Sequence, residues 1–436
     1  MQVSKINDAN LNLEKSRIIN IAYVGNLFNR GHAHAEYGTG LIYFLSKINI
    51  VSKIDAICPI KNNRYIEDLK IEKVNILETY DYKKPLTMLR IIRKIYSHKY
   101  DLIIFNMNST SFGEGNLSNF LGLITPLILK KILKKNVAVI YHSSVLTNDV
   151  EKLGYNSLYD KLRKAVLKYI ETSIFRNVNT YVPLDLYKNI LDKEVKKNNV
   201  KTIKIEFTEA IPTLLLNKVE EENIKVEHNN NFPRILLYGY WGPQKDLSFA
   251  LNTLNELKKE GYNFNLILGG GINNHFKDYQ RKYNELIEKY KDIINELKGY
   301  VEEKDLLDMF KSSDLLLLSY ATSGGYSGVL SLSIFFELPV IGIEFPEYLE
   351  QAKGYENVIL VKREDFKNAI RDFLDNFKPG KSKTINVKEK IEKSIKYLNE
   401  IIKSNEWAYM ILANEKFLSI KLIYYNSIKE KIWIEI

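Results

Sequence analysis

Asp314–Gly342 reads DLLLLSYATSGGYSGVLSLSIFFELPVIG, and the order of its residue types decides the fold. Four consecutive leucines make a short apolar run suited to a strand covered on both faces. The polar turn that follows holds the glycine pair Gly324-Gly325. Gly325–Phe336 then reads as a helix, and Pro339–Glu344 (PVIGIE) as a second buried strand. Strand, Gly/Ser turn, helix, strand is the repeating unit of a parallel sheet. Thr322, Ser323 and Ser327 supply hydroxyl donors, and Gly324, Gly325 and Gly328 allow close backbone approach. The turn lies at the carboxyl end of its strand, where open α/β sheets bind ligands.

Working outward, Ile235–Tyr240 (ILLYGY) reads as a strand that ends on a Gly/Pro turn in LLYGYWGPQKDL. Lys245 is expected at the start of the next helix, Leu247–Glu260, whose Leu247, Ala250, Leu251, Leu254 and Leu257 recur at helical spacing. A helix start concentrates unpaired N–H groups and about half a positive charge, and a lysine adds a full one. A diphosphate is the natural partner. The bland alternative is a solvent-facing lysine in a tight turn; the Gly/Ser turn expected on the same sheet edge weighs against it. Asn263–Gly269 (NFNLILG) runs into Gly269-Gly270-Gly271, Glu296–Tyr300 is a further strand, and Glu302–Ser312 a helix.

The amino-terminal half alternates in the same way. Arg17–Gly25, Lys53–Cys58, Lys73–Leu77, Tyr100–Asn106 and Ala138–His142 read as strands, with Thr180–Pro183 and Lys201–Ile205 as weaker ones. Thr39–Ile48 and Leu86–Tyr96 read as helices, and Gly31–Glu36 (GHAHAE) as a polar loop over the cleft. Lys218–Pro233 is polar, contains His228-Asn229-Asn230-Asn231, and reads as a linker. The expected architecture is α/β: two doubly wound parallel domains facing a central cleft, over 1–217 and 234–385, joined by 218–233. A tail over 386–436, helix-like through Trp407–Leu418, is expected to pack back on the first domain.

Length and composition agree with two soluble domains: 436 residues, 45% hydrophobic and 27% charged. The longest apolar runs are too short to span a bilayer, and the polar start MQVSKINDANLNLEKS lacks a signal-peptide core. A single cysteine, Cys58, fits a reducing, cytoplasmic interior. The formal charge of +10 favours anionic partners such as phosphates or an acidic membrane surface, or else serves solubility. No metal-finger or RNA-binding signature accompanies it, so nucleic acid is not expected. Leu117–Lys135 (LSNFLGLITPLILKKILKK) joins apolar residues to four lysines, as does a helix lying peripherally on an anionic membrane. Pro126 interrupts it, and a core helix is the preferred reading.

The ordered set over residues 234–345 resembles the donor-binding domain of GT-B glycosyltransferases, most closely family 4 and its relatives. It comprises the strand glycine with Pro243 and Lys245, Leu266–Gly271 (LILGGG), Gly299-Tyr300-Val301-Glu302-Glu303-Lys304-Asp305-Leu306 leading to Ser313-Asp314, and SGVL followed by LPVIG. The resemblance implies transfer of a sugar from a nucleotide-sugar to a glycan or lipid-linked acceptor. Configuration would be retained, and no cofactor or metal would be needed beyond the nucleotide-diphosphate sugar donor. By the same resemblance, Gly25, Gly239, Tyr240, Lys245, Gly270, Tyr300, Val301, Ser323, Gly325, Tyr326, Ser327, Gly328 and Val329 would hold the donor. His142 and Lys245 would be the catalytic pair, and His34, Glu36 and Gly38 would face the acceptor, with Asp149 a further neighbour. Two departures stand out. Tyr240 replaces the usual arginine, and the usual glutamates eight apart fall on Gly324 and Leu332. A leucine accepts no hydrogen bond from ribose hydroxyls. An inactive GT-B scaffold that binds nucleotide, and a nucleotide-sugar epimerase, are the alternatives.

Overall fold

Seven strands run parallel in a first sheet: β1 (Ile19–Val24), β2 (Val51–Pro59), β3 (Val74–Tyr80), β4 (Leu102–Met107), β5 (Val137–Tyr141), β6 (Asn179–Val182) and β7 (Val200–Thr202). These come from a computed structural model that describes residues 18–27, 33–60, 70–113, 115–147, 158–227, 231–272, 276, 278–380 and 382–403. Their spatial order is β3-β2-β1-β4-β5-β6-β7. Six helices join them: α1 (Ala33–Ser46), α2 (Leu89–Tyr96), α3 (Asn116–Leu127), α4 (Leu158–Asn177), α5 (Asp185–Glu194) and α6 (Ile211–Asn217). Strands such as β4 (LIIFNM) and β5 (VAVIY) are buried at every residue because helices cover both sheet faces.

After β8 (Asn223–Glu227), a second parallel sheet holds β9 (Arg234–Tyr238), β10 (Asn265–Gly269), β11 (Ile294–Gly299), β12 (Leu315–Leu318), β13 (Val340–Ile343) and β14 (Val358–Val361). Its order is β11-β10-β9-β12-β13-β14. The helices are α7 (Leu247–Lys259), α8 (Tyr279–Lys289), α9 (Glu303–Lys311), α10 (Gly328–Phe335), α11 (Pro346–Gln351) and α12 (Phe366–Asp375). Strand β15 (Ser382–Asn386) pairs antiparallel with β8 and leads into α13 (Val387–Lys403), which packs against α1. One apolar cluster runs from Leu41 and Phe44 on α1 through Leu214 on α6 to Phe310, Phe335 and Leu316 in the second half, so the two sheets share a packed interior. In each sheet the winding direction reverses at one place, between β1 and β4 and between β9 and β12. Such reversals open a crevice at the strands' carboxyl ends.

Several elements differ from the sequence reading. Helix α1 starts at Ala33 rather than Thr39, so His34 and Glu36 sit on its first turn, not in a polar loop. Two alanines favour helix there, and the Thr39 hydroxyl bonds back to the Ala35 carbonyl at 2.9 Å. Gly31, His32 and Asp149 lie outside the described residues, as does the helix expected at 407–418. Helix α3 passes through Pro126 and continues into a single wide turn, Ile128–Ile132; a π-type turn absorbs the lost hydrogen bond. Lys245 closes a 3-10 turn (Pro243–Lys245) instead of starting a helix. Asp246 then caps α7, its carboxylate accepting from the Phe249 amide at 3.2 Å. Helix α10 begins at Gly328, three residues later than expected, which lengthens the Gly/Ser turn. Among the described residues, no helix is long and apolar enough to cross a membrane.

Candidate active site

The loops after β9 and β12 lie side by side. The Ala321 amide donates to the Gln244 carbonyl at 2.9 Å, and the Ser319 hydroxyl donates to the Lys245 carbonyl at 2.9 Å. This brings Lys245 and the Ser323–Gly328 turn to one edge, as two adjacent strand ends must. The Lys245 ammonium donates to the Tyr320 hydroxyl and stands 4.2 Å from that ring's centre. It also covers Gly239, where a β-carbon would lie 2.6 Å from Nζ. Gly270 has φ +104°, and a β-carbon there would lie 1.9 Å from the Gly239 carbonyl oxygen. Only glycine permits that approach of the β9 and β10 ends.

Within the turn, the Ser323 hydroxyl accepts from the Gly325 amide at 3.1 Å. Gly325 has φ +103°, and Tyr187 of α5 reaches across to it, 2.5 Å from where a β-carbon would be. Ser327 is the N-cap of α10 and accepts from the Leu330 amide at 3.3 Å. Gln351 holds the Ser327 backbone at both ends: its Oε1 accepts from the amide at 3.0 Å and its Nε2 donates to the carbonyl at 2.8 Å. The Ser327 amide is therefore engaged by protein. Its hydroxyl hydrogen and the first-turn amides of Gly328 and Val329 are the donors that a helix start presents outward. The buried Oγ1 of Thr322 and Oε1 of Gln244 have no hydrogen-bond partner among the described residues. Tyr240 is half-buried and 6.5 Å from the Tyr300 ring, while Val301 packs 3.2 Å from the β-carbon position of Gly269.

On the facing domain, β1, β4 and β5 deliver Gly25, Asn106 and His142. A β-carbon at Gly25 would meet the Asn106 carbonyl at 2.8 Å. The Tyr23 hydroxyl donates to the Asn26 carbonyl at 2.9 Å, and the Asn106 amide nitrogen donates to Tyr23 and to the His34 carbonyl, each at 3.0 Å. Asn106 Oδ1 is thereby left as acceptor for His142 Nε2 at 2.5 Å. His142 is therefore the Nε2–H tautomer with its lone pair on Nδ1. His34 stacks on it at 4.6 Å between ring centres, and Tyr37 meets it edge-on at 4.5 Å. Burial, then the neighbouring His34, holds His142 well below the ordinary histidine range, so the ring is neutral. Gly38 sits in the seam between α1 and β1, its β-carbon position 2.1 Å from the Tyr23 hydroxyl, and serves packing there.

Three carboxyl groups meet between the domains. Glu209 is buried in a 3-10 turn (Thr208–Ala210) and accepts from the Ser331 hydroxyl of α10 at 2.7 Å and from Thr208 at 3.0 Å. Its Cγ lies 3.5 Å from the β-carbon position of Gly328. Burial raises its pKa, opposed by those hydroxyls. Glu36 is raised well above its usual range by burial and by the charges of Glu303 and Glu209. Burial pushes Glu303 up to about 8. Glu303 Oε1 and the Tyr37 hydroxyl are buried with no hydrogen-bond partner among the described residues. Leu332 is buried in the apolar cluster, and Gly324 is exposed with open space around it. Neither position supplies a carboxylate. Sequence reading missed Glu209, Tyr37, Tyr187, Tyr320 and Gln351; Asn106, a polar residue closing an apolar strand, carried a usable signal.

Residues 218–397 match the family described as Glycosyl transferases group 1. No curated protein matches the chain by sequence. Among solved structures, Anabaena Alr3699/HepE in complex with UDP and glucose is 12% identical, covering 92% of this chain and 99% of that one with a TM-score of 0.55. Sucrose-phosphate synthase from Thermosynechococcus elongatus is 15% identical, covering 93% and 100%, at 0.57. UDP-GlcNAc 2-epimerase from Methanocaldococcus jannaschii is 16% identical, covering 87% and 99%, at 0.52. At such identities these likenesses establish the fold. Residues 218–397 form a glycosyl transferases group 1 domain in a chain of GT-B fold, and the enzyme class of that chain is glycosyltransferase.

Proposed function

We propose that the protein moves a sugar from a nucleoside diphosphate sugar to a hydroxyl of a glycan or lipid-linked acceptor, with retention and without a metal. The observation that carries this is the pairing of Lys245 with the Ser323–Gly328 turn at the β9–β12 crevice, opposite His142 and Glu209. The unpartnered Thr322 and Gln244 oxygens beside it suit a polar ligand, because buried polar atoms ordinarily find partners. Lys245, the Ser327 hydroxyl and the Gly328 and Val329 amides would hold the diphosphate, and Tyr300 and Val301 the nucleoside. Glu209, nearest Gly328, takes the part of the carboxylates that Gly324 and Leu332 do not supply. The bond between the anomeric carbon and the β-phosphate oxygen breaks with its electron pair on the diphosphate. The acceptor oxygen bonds the anomeric carbon on the same face, and its proton passes to the departing phosphate. His142 Nδ1 accepts a hydroxyl hydrogen of the sugar and orients it, and His34 and Glu36 line the acceptor side. Closure of the cleft excludes water and so favours transfer over hydrolysis. A nucleotide-sugar donor and a buried, free Cys58 suit the cytoplasm.

The test is incubation with a panel of nucleoside diphosphate sugars, UDP-glucose first, with glycan and lipid-linked acceptors, reading nucleoside diphosphate release and glycosylated product. Acceptor-dependent release supports transfer. Release with an epimerised free sugar and no acceptor would establish the epimerase reading, which two epimerase folds among the similar structures motivate. Nucleotide binding with no release under any condition would leave a scaffold.

A further inference from the structure

Helix α4 carries two apolar stripes, and only one faces the core. Ile170, Ile174 and Phe175 are buried against the first sheet. Leu158, Leu162, Val166 and Tyr169, spaced four, four and three apart, face outward with 85%, 66%, 46% and 77% of their surface exposed. A helix turned to water ordinarily shows polar residues on that side. The neighbouring α3 adds exposed Leu117 and Phe120, and the turn Pro85–Met88 packed on α3 adds Leu86. Between α3 and α4 runs a groove of about 340 Å³, lined on its apolar side by Leu117, Phe120, Tyr159, Leu162 and Val166. Contiguous apolar surface of this kind marks a docking face.

The charges around it are mainly positive. Helix α4 carries Lys161, Arg163, Lys164 and Lys168 against Asp160 and the buried Glu171, and Lys168 lies 3.5 Å from Glu194. Helix α2 adds Arg90, Arg93 and Lys94 with no acid, and α3 has no charged residue. An apolar stripe rimmed by basic side chains is the arrangement of a helix that lies in a membrane interface, with the cations among negative headgroups. We propose that the face formed by α4, α3 and the Pro85–Met88 turn docks on the surface of an anionic lipid bilayer. The sequence offered α3 and its trailing lysines as a membrane-lying helix but favoured a core helix there; the exposed apolar stripe lies chiefly on α4. The amino ends of α3 and α4 lie at the carboxyl ends of β4 and β5, the edge on which the cleft opens. Ser109, which lines the groove, follows Asn108, whose amide donates to His34 at 2.5 Å. A docked bilayer therefore lies beside the side of the cleft assigned to the acceptor, although the docking itself does not depend on the transfer reaction.

The test is co-sedimentation of the full chain with vesicles of phosphatidylcholine alone or with roughly a third phosphatidylglycerol. The expected result is binding to the anionic vesicles and little to the neutral ones. Leu162→Ser with Tyr169→Ser, and separately Lys161→Glu with Lys164→Glu, should each lower the bound fraction about tenfold. Leu297→Ser, at an exposed leucine on β11 away from this face, should leave it unchanged. Circular dichroism and thermal melting check that each variant folds. No binding of the wild type to anionic vesicles overturns the proposal, as does binding that survives the apolar pair. A wild-type dimer that Leu162→Ser with Tyr169→Ser converts to monomer, without vesicle binding, would assign the face to a second copy of the chain and equally overturn it.

Discussion

Replacing Lys245 with methionine removes one charge and keeps a similar stem over the Tyr320 ring. The fold should tolerate this. The lost cation–π contact, about 0.5–2 kcal/mol, is partly offset by a sulfur–aromatic contact of about 0.3–1.5 kcal/mol. A net change near 1 kcal/mol moves the melting temperature by about 2–4 °C for domains of this size. The ligand side loses more. A hydrogen bond from a charged donor contributes about 1.5–3 kcal/mol, so nucleoside diphosphate affinity should fall roughly tenfold to a hundredfold. Charge builds on the diphosphate as the sugar leaves, and removing one donor to such a developing oxyanion costs about 2.7–4 kcal/mol, or 100- to 1000-fold in turnover. Calorimetric titration with the nucleoside diphosphate and chromatographic measurement of its release read the two effects separately. Lys245→Arg, which keeps the charge, should recover part of both. Nucleotide affinity and turnover within about threefold of wild type, in a Met variant of unchanged melting temperature, would refute the placement of the diphosphate at Lys245.

Glu209→Ala removes the acceptor of the Ser331 hydroxyl across the domain boundary, and should lower stability by about 1–3 kcal/mol and turnover more than nucleotide affinity; an unchanged KM-to-kcat balance by steady-state kinetics would count against a sugar-facing role. Glu303 holds its proton up to about 8 when folded and releases it within the ordinary carboxylate range when unfolded. The folded chain therefore binds more protons over that window, and stability present at mildly acid pH falls as pH rises through about 8. Denaturant midpoints measured across pH 5 to 9 should show the fall in wild type and a flatter profile in Glu303→Gln; equal slopes would discount the group. Gly40→Ala would place a β-carbon 2.2 Å from the Thr208 carbonyl oxygen, against backbone, so the variant should lose about 1–3 kcal/mol by thermal melting and, by shifting the 208–210 turn, lose activity as well.

Much of the donor half was legible because its signals are local. The leucine run Leu315–Leu318, the glycines at Gly239 and Gly270 and the helical spacing of Leu247–Leu257 each report on neighbours a few residues away, and they locate β9, β10, β12 and α7 along the chain. The start of α1 was misread because His34 and Glu36 looked like loop polarity, when Ala33 and Ala35 favour a helix and the tertiary neighbours His142 and Asn108 accommodate His34. The wide turn after Pro126 was likewise invisible, since a proline's effect depends on whether the next turn can open.

What the sequence by itself determined is the parallel α/β plan and the Gly/Ser-turn edge of the second sheet, because strand burial, turn chemistry and helix period are written in consecutive residues. Only the tertiary structure decided what stands opposite. Glu209 reaches Ser331 across 122 residues, Tyr187 closes on Gly325, and Asn106 selects the His142 tautomer. No periodicity specifies these contacts: two arise where the two separately wound sheets dock, and the third where neighbouring strands β4 and β5 end side by side. Neither Gly324 nor Leu332 brings a carboxyl, and the one that bonds Ser331 beside Leu332 comes from the facing domain.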